Sequence, residues 1–372
     1  MSTIFANTRS LTLRSPAGRR RQRGVALITV MLVFAIAALV VSKILLIQVT
    51  DVQRTTGLLE RTQAYYYARG AEQLALMLLQ DDYKNDIDEL GFSRDHPGEA
   101  WAQGPVELEI DAIGNVHAQI IDLSSFYNVN NMVDKNGKAI AREVDRFTSM
   151  LDALGLNRDL AANLVDYIDA DSKEEGVDTE GRAYTELRPG YQVANQPLTD
   201  LSELRLVKDF TPDVLETLLP HLSAIRLIDK VSMNVNTATV GALTTLQMSA
   251  SGTGGSGPRG IGLSRAEAIA ELQGREYFDS IGGGLYDGLI FSEHPVASGI
   301  ESGTSGGGTA LDLLVSSHLF EINIRANYAG SVAYLTTVVY EDQSASTGKA
   351  TYTILERRET DNSAKFISNE KQ

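Results

Sequence analysis

The chain has 372 residues and no cysteine, with 43% hydrophobic and 22% charged residues. This composition is typical of a folded protein of about two domains, and it excludes a disulfide framework, a thiolate zinc site and a cysteine nucleophile. The net charge is −15, and residues 1–24 hold six arginines and no acid, so that their removal would leave −21. Such an acidic body disfavours nucleic acid and anionic lipid and suits divalent cations.

The N-terminal region combines a basic segment with a long apolar run. Residues 25–41 are apolar apart from Thr29, and the run continues past Ser42 and Lys43 to residue 47. Roughly 20 apolar residues in a helix span a bilayer core, whereas the core of a signal peptide has about 7–15. Because the arginines precede the run, we expect a cytoplasmic N-terminus and an exported body. A signal peptide cleaved near residue 37 and a plain signal anchor stay open as alternatives.

The apolar pattern continues beyond this membrane-length run. Leu58, Tyr65, Ala68, Leu74 and Leu78 recur near helical spacing, and no proline occurs from residue 25 to residue 83. The pattern predicts one continuous helix that begins in the membrane and packs one of its faces on a globular domain.

Alternating residues predict strands in two distant parts of the body. Residues 106–110 and 116–120 alternate apolar and polar side chains, with Gly114-Asn115 as the hairpin turn between them. Residues 318–358 predict three further strands, with a turn at 328–330. Since helical patterns fill the sequence between the two regions, a helical domain is predicted to be inserted into a small α/β domain.

Capping residues divide the inserted region into short helices. The predicted N-terminal caps are Asn157, Thr199 or Asp200, Thr211 before Pro212, and Ser264 in a capping box with Glu267. Residues 249–260 and 281–308 are rich in Gly and Ser, which predicts flexible loops.

The N-terminal region resembles that of type IV prepilins and type II secretion pseudopilins, which combine a basic leader ending in glycine, a membrane-length helix and an amphipathic extension. The resemblance implies that a prepilin peptidase cuts after Gly24 and leaves Val25 as the new, N-methylated terminus. Major subunits carry glutamate at position five of the mature chain, where this sequence has Thr29. Because a carboxylate in lipid is costly without a partner, a subunit with threonine there needs no neighbour above it.

The body resembles the minor pseudopilin K family of type II secretion systems. The segments LVDYIDADS (164–172), ANQPLTDLSELRLVKDFTP (194–212) and NVNTA (234–238) are similar to that family's helical-domain signatures, and the second is the most specific. The resemblance covers nearly the whole chain except 281–308. It implies a tip position in the pseudopilus, a complex with the I-type and J-type minor pseudopilins, and protein export across the outer membrane, with the secretin and exported substrates as further candidate partners.

The predicted fold class is α+β, with a pilin-like long N-terminal transmembrane helix packed on a small antiparallel sheet and a large inserted all-α domain. The location implied is the inner membrane, single-pass, with a periplasmic globular domain. The predicted segments are a leader (1–24), a transmembrane part (25–47), a helix extension with the first strands (48–130), the inserted helical domain (131–280), a Gly/Ser-rich loop (281–310), the C-terminal strands (311–358) and a polar tail (359–372).

The acidic stretch at 166–186 is the candidate metal site. Hard cations bind six or more oxygens at once, mostly from carboxylates and carbonyls on a flexible loop. The spacing partly fits an EF-hand loop beginning at Asp169, but Lys173 and Glu174 occupy its fifth and sixth positions. We therefore expect an irregular Ca²⁺ loop, and the resembled family binds calcium in this domain; a solvated acidic loop stays open. The candidate ligands are Asp169, Asp171, Asp178 and Glu180, with Asp166 and Glu186 as weaker candidates.

No motif predicts catalysis, because the five histidines show no paired spacing and neither HExxH nor GxSxG occurs. A Gly260-Ile261-Gly262 hairpin favours a different class, since it precedes a predicted helix as in helix-hairpin-helix units that bind DNA phosphate. Only Arg259, Arg265 and Arg275 lie nearby, whereas phosphate binding requires several basic contacts. No nucleic-acid partner is therefore predicted; a membrane-anchored DNA-uptake protein and a minor type IV pilin are the alternatives.

Overall fold

The computed structural model describes residues 22–111, 113–170, 182–185, 190–226, 230–248, 259–282, 288–301, 313–344 and 349–359. The chain divides into two compact units, residues 1–60 and 61–372. The described α-helices are α1 (Gln22–Glu89), α2 (Ala141–Ala153), α3 (Asp159–Ile168), α4 (Arg182–Thr185), α5 (Pro212–Leu218), α6 (Val240–Leu243) and α7 (Leu263–Gln273). The strands are β1 (Val106–Asp111), β2 (Gly114–Asp122), β3 (Tyr127–Asn128), β4 (Leu222–Ser223), β5 (Met233–Asn234), β6 (Leu313–Leu314), β7 (Leu319–Tyr328), β8 (Ser331–Ser344) and β9 (Lys349–Arg358).

The described part of the first unit is the N-terminal half of α1, and its side chains from residue 25 onward are almost all exposed. Its short polar side chains bond within the helix: Thr29 Oγ1 donates to the Ala26 carbonyl at 2.9 Å, and Ser42 Oγ donates to the Ala38 carbonyl at 2.8 Å. In lipid every polar group must be satisfied internally. An apolar helix whose hydroxyls are bonded to its own backbone meets that requirement.

The second unit is organised around a five-stranded antiparallel sheet with the order β1-β2-β7-β8-β9. Its central neighbours β2 and β7 are far apart in sequence, since β2 ends at Asp122 and β7 begins at Leu319. Helices α2 to α7 all lie between them in the chain. The predicted α+β class, with a long helix, an antiparallel sheet and a helical insertion, is confirmed.

Two hairpins of the sheet test the turn predictions. The predicted turn at 328–330 is confirmed, because Ala329 (φ 50°) and Gly330 (φ 88°) form a two-residue turn in the left-handed conformation. The predicted turn at Gly114-Asn115 is wrong, because Gly114 is the first residue of β2. A Cβ atom there would lie 3.2 Å from the Asn327 carbonyl oxygen, so this glycine permits close strand packing instead of a turn.

Small side chains make up most of the face of α1 that packs on the sheet. The buried residues are Ala64, Ala68, Ala71, Ala75, Leu79 and Tyr83. The predicted packing face is therefore only partly right: Ala68 is buried, but Leu58 and Leu74 are 67% and 54% exposed. Alanines let the helix approach the strands closely, and Leu79 is a larger side chain buried on the same face, whereas Leu74 is exposed.

The insert has its own core, built by α2, α3, α5, α6 and α7 with their connecting turns. Two Asn-Val-Asn segments, 128–130 and 234–236, bind distant backbone in the same way. Asn130 Oδ1 accepts from Leu198 N at 2.8 Å, and its Nδ2 donates to the Leu198 carbonyl at 2.9 Å. Asn236 makes the equivalent pair with Phe278, at 2.8 and 3.0 Å. Each buried amide thus satisfies the donor and the acceptor of one distant residue.

Two of the four predicted helix caps are confirmed: Asp200 forms a capping box with Glu203, and Thr211 caps α5. The predicted cap at Asn157 lies one residue too early, because Arg158 is the N-terminal cap of α3, although Asn157 Oδ1 accepts from Asp159 N at 3.0 Å. The predicted capping box of Ser264 and Glu267 is wrong. Gly262, with φ 75°, is the N-terminal cap, and Ser264 lies inside the first turn of α7.

Residues 281–282 and 288–301 of the segment predicted as a flexible Gly/Ser-rich loop are described, and the predicted loop at 249–258 lies outside the described residues. Residues 288–301 form two 3₁₀ turns, Phe291–Glu293 and Pro295–Ala297. Phe291, Ala297 and Ile300 are buried in the core of the insert. The loop prediction is therefore corrected for 288–301, because these few apolar residues outweigh the glycine-rich sequence on either side.

Candidate functional site: the N-terminal helix, the acidic segment and the hairpin

The predicted cleavage point lies in the first turn of the long helix. Gly24 and Val25 follow Gln22, where α1 begins, and Thr29 lies just over one turn further on. Glycine costs a helix about 1 kcal/mol relative to alanine, and Gly24, which would precede the cut, is one of three glycines in this helix. Among the described residues, this helix alone is long and apolar enough to cross a membrane.

The acidic segment begins at the end of α3. Asp169 is the C-terminal cap of that helix; it is buried, and its N–H donates to the Val165 carbonyl at 2.8 Å. Asp166, one of the weaker candidates, is also buried. The other predicted ligands Asp171, Asp178 and Glu180, together with Glu186, lie outside the described residues. The structure therefore locates one member of the proposed ligand set.

The start of the acidic segment is fixed by a close backbone contact. Ala170 N donates to the Gly137 carbonyl at 2.8 Å. Gly137 has φ 74°, and a Cβ atom on it would lie 2.4 Å from the Ala170 Cβ atom. Only glycine permits both this backbone conformation and this approach, so Gly137 positions the segment that carries the acids.

The far end of the acidic segment is fixed by a tyrosine cluster. Tyr184, in α4, is buried between Tyr167 and Tyr191, with ring centroids at 5.9 and 5.4 Å. Its hydroxyl accepts from Lys208 N at 3.1 Å, and burial raises the pKa of Tyr184 to about 12. Both ends of the acidic segment are thus attached to the insert core. A carboxylate-rich segment between two fixed ends has the donor chemistry that hard cations require.

The Gly260-Ile261-Gly262 hairpin serves packing in this structure. A Cβ atom on Gly260 would lie 2.6 Å from the Ser149 Cβ atom, so this glycine allows the hairpin to contact α2. Arg265 Nε donates to the Val296 carbonyl at 2.6 Å, and Arg275 bonds Glu271 at 2.6 Å. Two of the three arginines near the hairpin are therefore engaged with protein groups rather than presented to a phosphate.

Sequence reasoning missed a buried ionic contact between α1 and the sheet. Glu72 is fully buried, and Arg357 on β9 donates to its carboxylate from Nε at 3.0 Å and from Nη2 at 3.2 Å. Thr337 Oγ1 on β8 donates to the same carboxylate at 2.5 Å, and Arg69 pairs with it within the helix. The sequence feature that could have predicted this contact is Glu72 itself, a glutamate among the alanines on the apolar face of α1.

A long apolar N-terminal helix whose later part packs on an antiparallel sheet defines a pseudopilin-type subunit. A family model described as "Type II secretion system (T2SS), protein K" matches residues 125–227. The chain is 34% identical over 267 residues to type II secretion system protein K of Pseudomonas aeruginosa, covering 70% of this chain and 75% of that protein. It is 32% identical over 224 residues to the protein K of Klebsiella pneumoniae, covering 58% of this chain and 67% of that protein.

The chain belongs to the type II secretion system protein K family, and is therefore a minor pseudopilin. One chain in the crystal structure of the GspK-GspI-GspJ complex from the type 2 secretion system of enterotoxigenic Escherichia coli has the same fold as this protein. That match has a TM-score of 0.60 at 20% identity and covers 83% of this chain and all of the other.

Proposed function

We propose that this subunit stands at the tip of the type II secretion pseudopilus and takes part in protein export across the outer membrane. The observation that carries the proposal is the 34% identity to a protein K over most of its length. The insertion supports the tip position, because it adds all of residues 123–318 between two neighbouring strands of the pilin-type sheet. Such a bulk would obstruct the addition of another subunit above it.

The N-terminus supports the same position. Prepilin peptidase would cut after Gly24 and methylate Val25, and α1 would then anchor the subunit in the inner membrane, with its globular part in the periplasm. Thr29 bonds its own helix backbone at 2.9 Å. It therefore needs no group from a neighbouring subunit, whereas a glutamate at this position would.

The partners proposed are I-type and J-type minor pseudopilins. The structural neighbour is a complex of GspK with GspI and GspJ, and assembly with the corresponding subunits would form a tip complex. A tip position would bring the subunit towards the secretin and the exported substrates. The work proposed for the chain is assembly and transport rather than catalysis.

Labelled filaments test the tip position. Because the chain has no cysteine, a Glu216→Cys variant, altered at an exposed residue of α5, carries a single thiol for gold labelling. In cells that assemble pseudopili, we expect the label at one end of each filament by electron microscopy. Label distributed along the shaft would contradict the proposal, and the cysteine-free chain controls for non-specific labelling.

Calcium in the acidic segment is part of the proposal. The residues Asp169, Asp171, Asp178 and Glu180 would hold Ca²⁺ and so stabilise the segment between its two fixed ends. We expect Asp171→Ala to lower the melting temperature of the protein in Ca²⁺ but not in chelator. An equal decrease in melting temperature in Ca²⁺ and in chelator would contradict the proposed calcium site.

The DNA-binding alternative is tested by a filter or mobility assay at low salt. We expect no tight, salt-dependent DNA binding, because Arg265 and Arg275 are held by protein groups and phosphate contacts require free basic side chains. Binding that weakened steeply with salt would contradict the proposed role and favour a function in DNA uptake.

A further inference from the structure

The end of α1 and the loop after it bring several carboxylates to one place in the second unit. Asp82 lies near the end of α1, and Asp95 and Glu99 lie in the connection from α1 to β1. One carboxylate oxygen of each lies within 4.8 Å of those of the other two. Glu341 on β8 is also buried and adds a fourth acid nearby. The three-acid group is distinct from the acidic segment at 166–186.

The positive charges that would ordinarily balance such a group are engaged elsewhere. Within the described residues, no lysine or arginine forms an ion pair with Asp82, Asp95 or Glu99. The nearest arginine in sequence, Arg94, bonds Asp279 instead. His96 is the basic side chain beside the group, with Nε2 3.3 Å from Glu99 Oε1. In the part of the chain that the structure describes, the acids thus face one another without a compensating lysine or arginine.

A second observation concerns Glu99 alone. Its side chain is 9% exposed, and its Oε1 atom is buried and accepts no hydrogen bond. The other oxygen, Oε2, accepts from Trp101 Nε1 at 2.7 Å and from His96 N at 3.1 Å, which fixes the plane of the carboxylate. His96 Nε2 lies 3.3 Å from Oε1 without hydrogen-bonding geometry. A buried acceptor left open costs stability unless a ligand fills it.

Carboxylates this close to one another are unfavourable when all are ionised, because burial and like charges both act against the charged form. A bound cation would offset both effects.

We propose that Asp82, Asp95 and Glu99 form a second cation site, which takes one hard divalent ion of the calcium type. Ca²⁺ holds oxygens at about 2.3–2.6 Å, so two oxygens on opposite sides of one ion lie about 4.6–5.2 Å apart. The observed spacing of 4.8 Å or less fits three oxygens around one ion. Water would complete the coordination. The ion would join the end of the long helix to the loop that leads into the sheet, and this site is independent of the proposed tip function.

Trp101 provides a direct probe of this site. It is the only tryptophan of the chain, and its indole bonds the Glu99 carboxylate. In the full chain in detergent micelles, Tb³⁺ bound beside Glu99 should emit when tryptophan alone is excited. We expect saturable emission that excess Ca²⁺ displaces. Absence of such emission would overturn the site.

Variants separate this site from the acidic segment. Glu99→Gln keeps an acceptor for Trp101 but removes the charge, and Asp82→Asn does the same at a less buried ligand. We expect each to weaken the apparent Tb³⁺ affinity about tenfold or more. The matched control Asp169→Asn should leave the emission unchanged. Emission that survives both ligand variants, or that is lost only in Asp169→Asn, would contradict the site; if Glu99→Gln does not fold, Asp82→Asn decides.

Discussion

Glu72 is the residue that most directly ties α1 to the sheet. Its carboxylate is fully buried, and it accepts hydrogen bonds from β8 and β9 residues that lie 265 and 285 positions further along the chain. A buried carboxylate is stable only when its oxygens are paired. Arg357 supplies the compensating charge, and its own side chain is partly solvent-exposed.

Removal of Glu72 should therefore destabilise the protein strongly. We expect Glu72→Ala to lower the free energy of unfolding by about 2–3 kcal/mol, since it leaves Arg357 and Thr337 without their acceptor. Urea denaturation in detergent micelles, followed by the fluorescence of the buried Trp101, measures this change. Glu216→Ala, at an exposed position, should stay within about 0.5 kcal/mol. Equal losses in the two variants would refute the account of Glu72.

The asparagine pairs make a second prediction at this scale. Asn236→Ala removes three hydrogen bonds, two to Phe278 and one to the Val315 carbonyl, and leaves the buried Phe278 N–H and carbonyl unpaired. We expect a loss of about 2–4 kcal/mol, because each unsatisfied group costs about 1–3 kcal/mol. Thermal melts of the variant and of the exposed-site control Glu216→Ala measure it. A melting temperature equal to that of the control would show that water replaces the amide.

Local signals made some residues predictable and others not. Asp200 and Thr211 cap helices through neighbours two or three positions away, so the sequence was sufficient to find them. Glu72 and Asn236 depend on partners that only the folded chain brings near. The Ser264 cap failed because the preceding Gly262 already adopts the left-handed conformation that begins α7.

At the scale of elements, the packing face of α1 is the clearest difference between expectation and structure. Helical periodicity correctly included Ala68, but it also favoured Leu58 and Leu74, which are exposed, and it missed the buried Ala64 and Ala71. The hydrophobic pattern of a helix does not indicate how closely its backbone approaches the strands on which it packs. The strands were easier to predict, because the alternation of side chains and the turn at 328–330 are local sequence patterns. Gly114 was misassigned because glycine is common in turns, but here it is the first residue of a strand.

A pair of substitutions on α1 tests that face. Ala68→Leu adds volume where the helix contacts the sheet, and we expect it to lower the free energy of unfolding by about 1–3 kcal/mol. Leu74→Ala, at a side chain 54% exposed, should change it by less than about 0.5 kcal/mol. Urea denaturation compares the two. A larger loss for Leu74→Ala would contradict the assignment of Ala68 to the packing face and of Leu74 to the exposed side.

At the scale of the whole molecule, the sequence carried most of the information about class. Two sequence features predicted the family: the basic leader before an apolar run, and helical-domain signatures such as residues 194–212. The similarity to protein K of Pseudomonas aeruginosa confirms that family. The buried acids Asp82, Asp95 and Glu99 were not predicted as a group. They come from separate segments, and only the folded chain brings them together.

The central claim is that the chain is processed as a pseudopilin, and N-terminal sequencing tests it most directly. The full chain would be co-expressed with a prepilin peptidase, purified from membranes and analysed by sequencing and mass spectrometry, with Gly24→Leu as the uncleavable control. We predict a mature chain that begins at N-methylated Val25, and an intact control. A chain that stayed intact, or was cut near Ala37, would contradict the account.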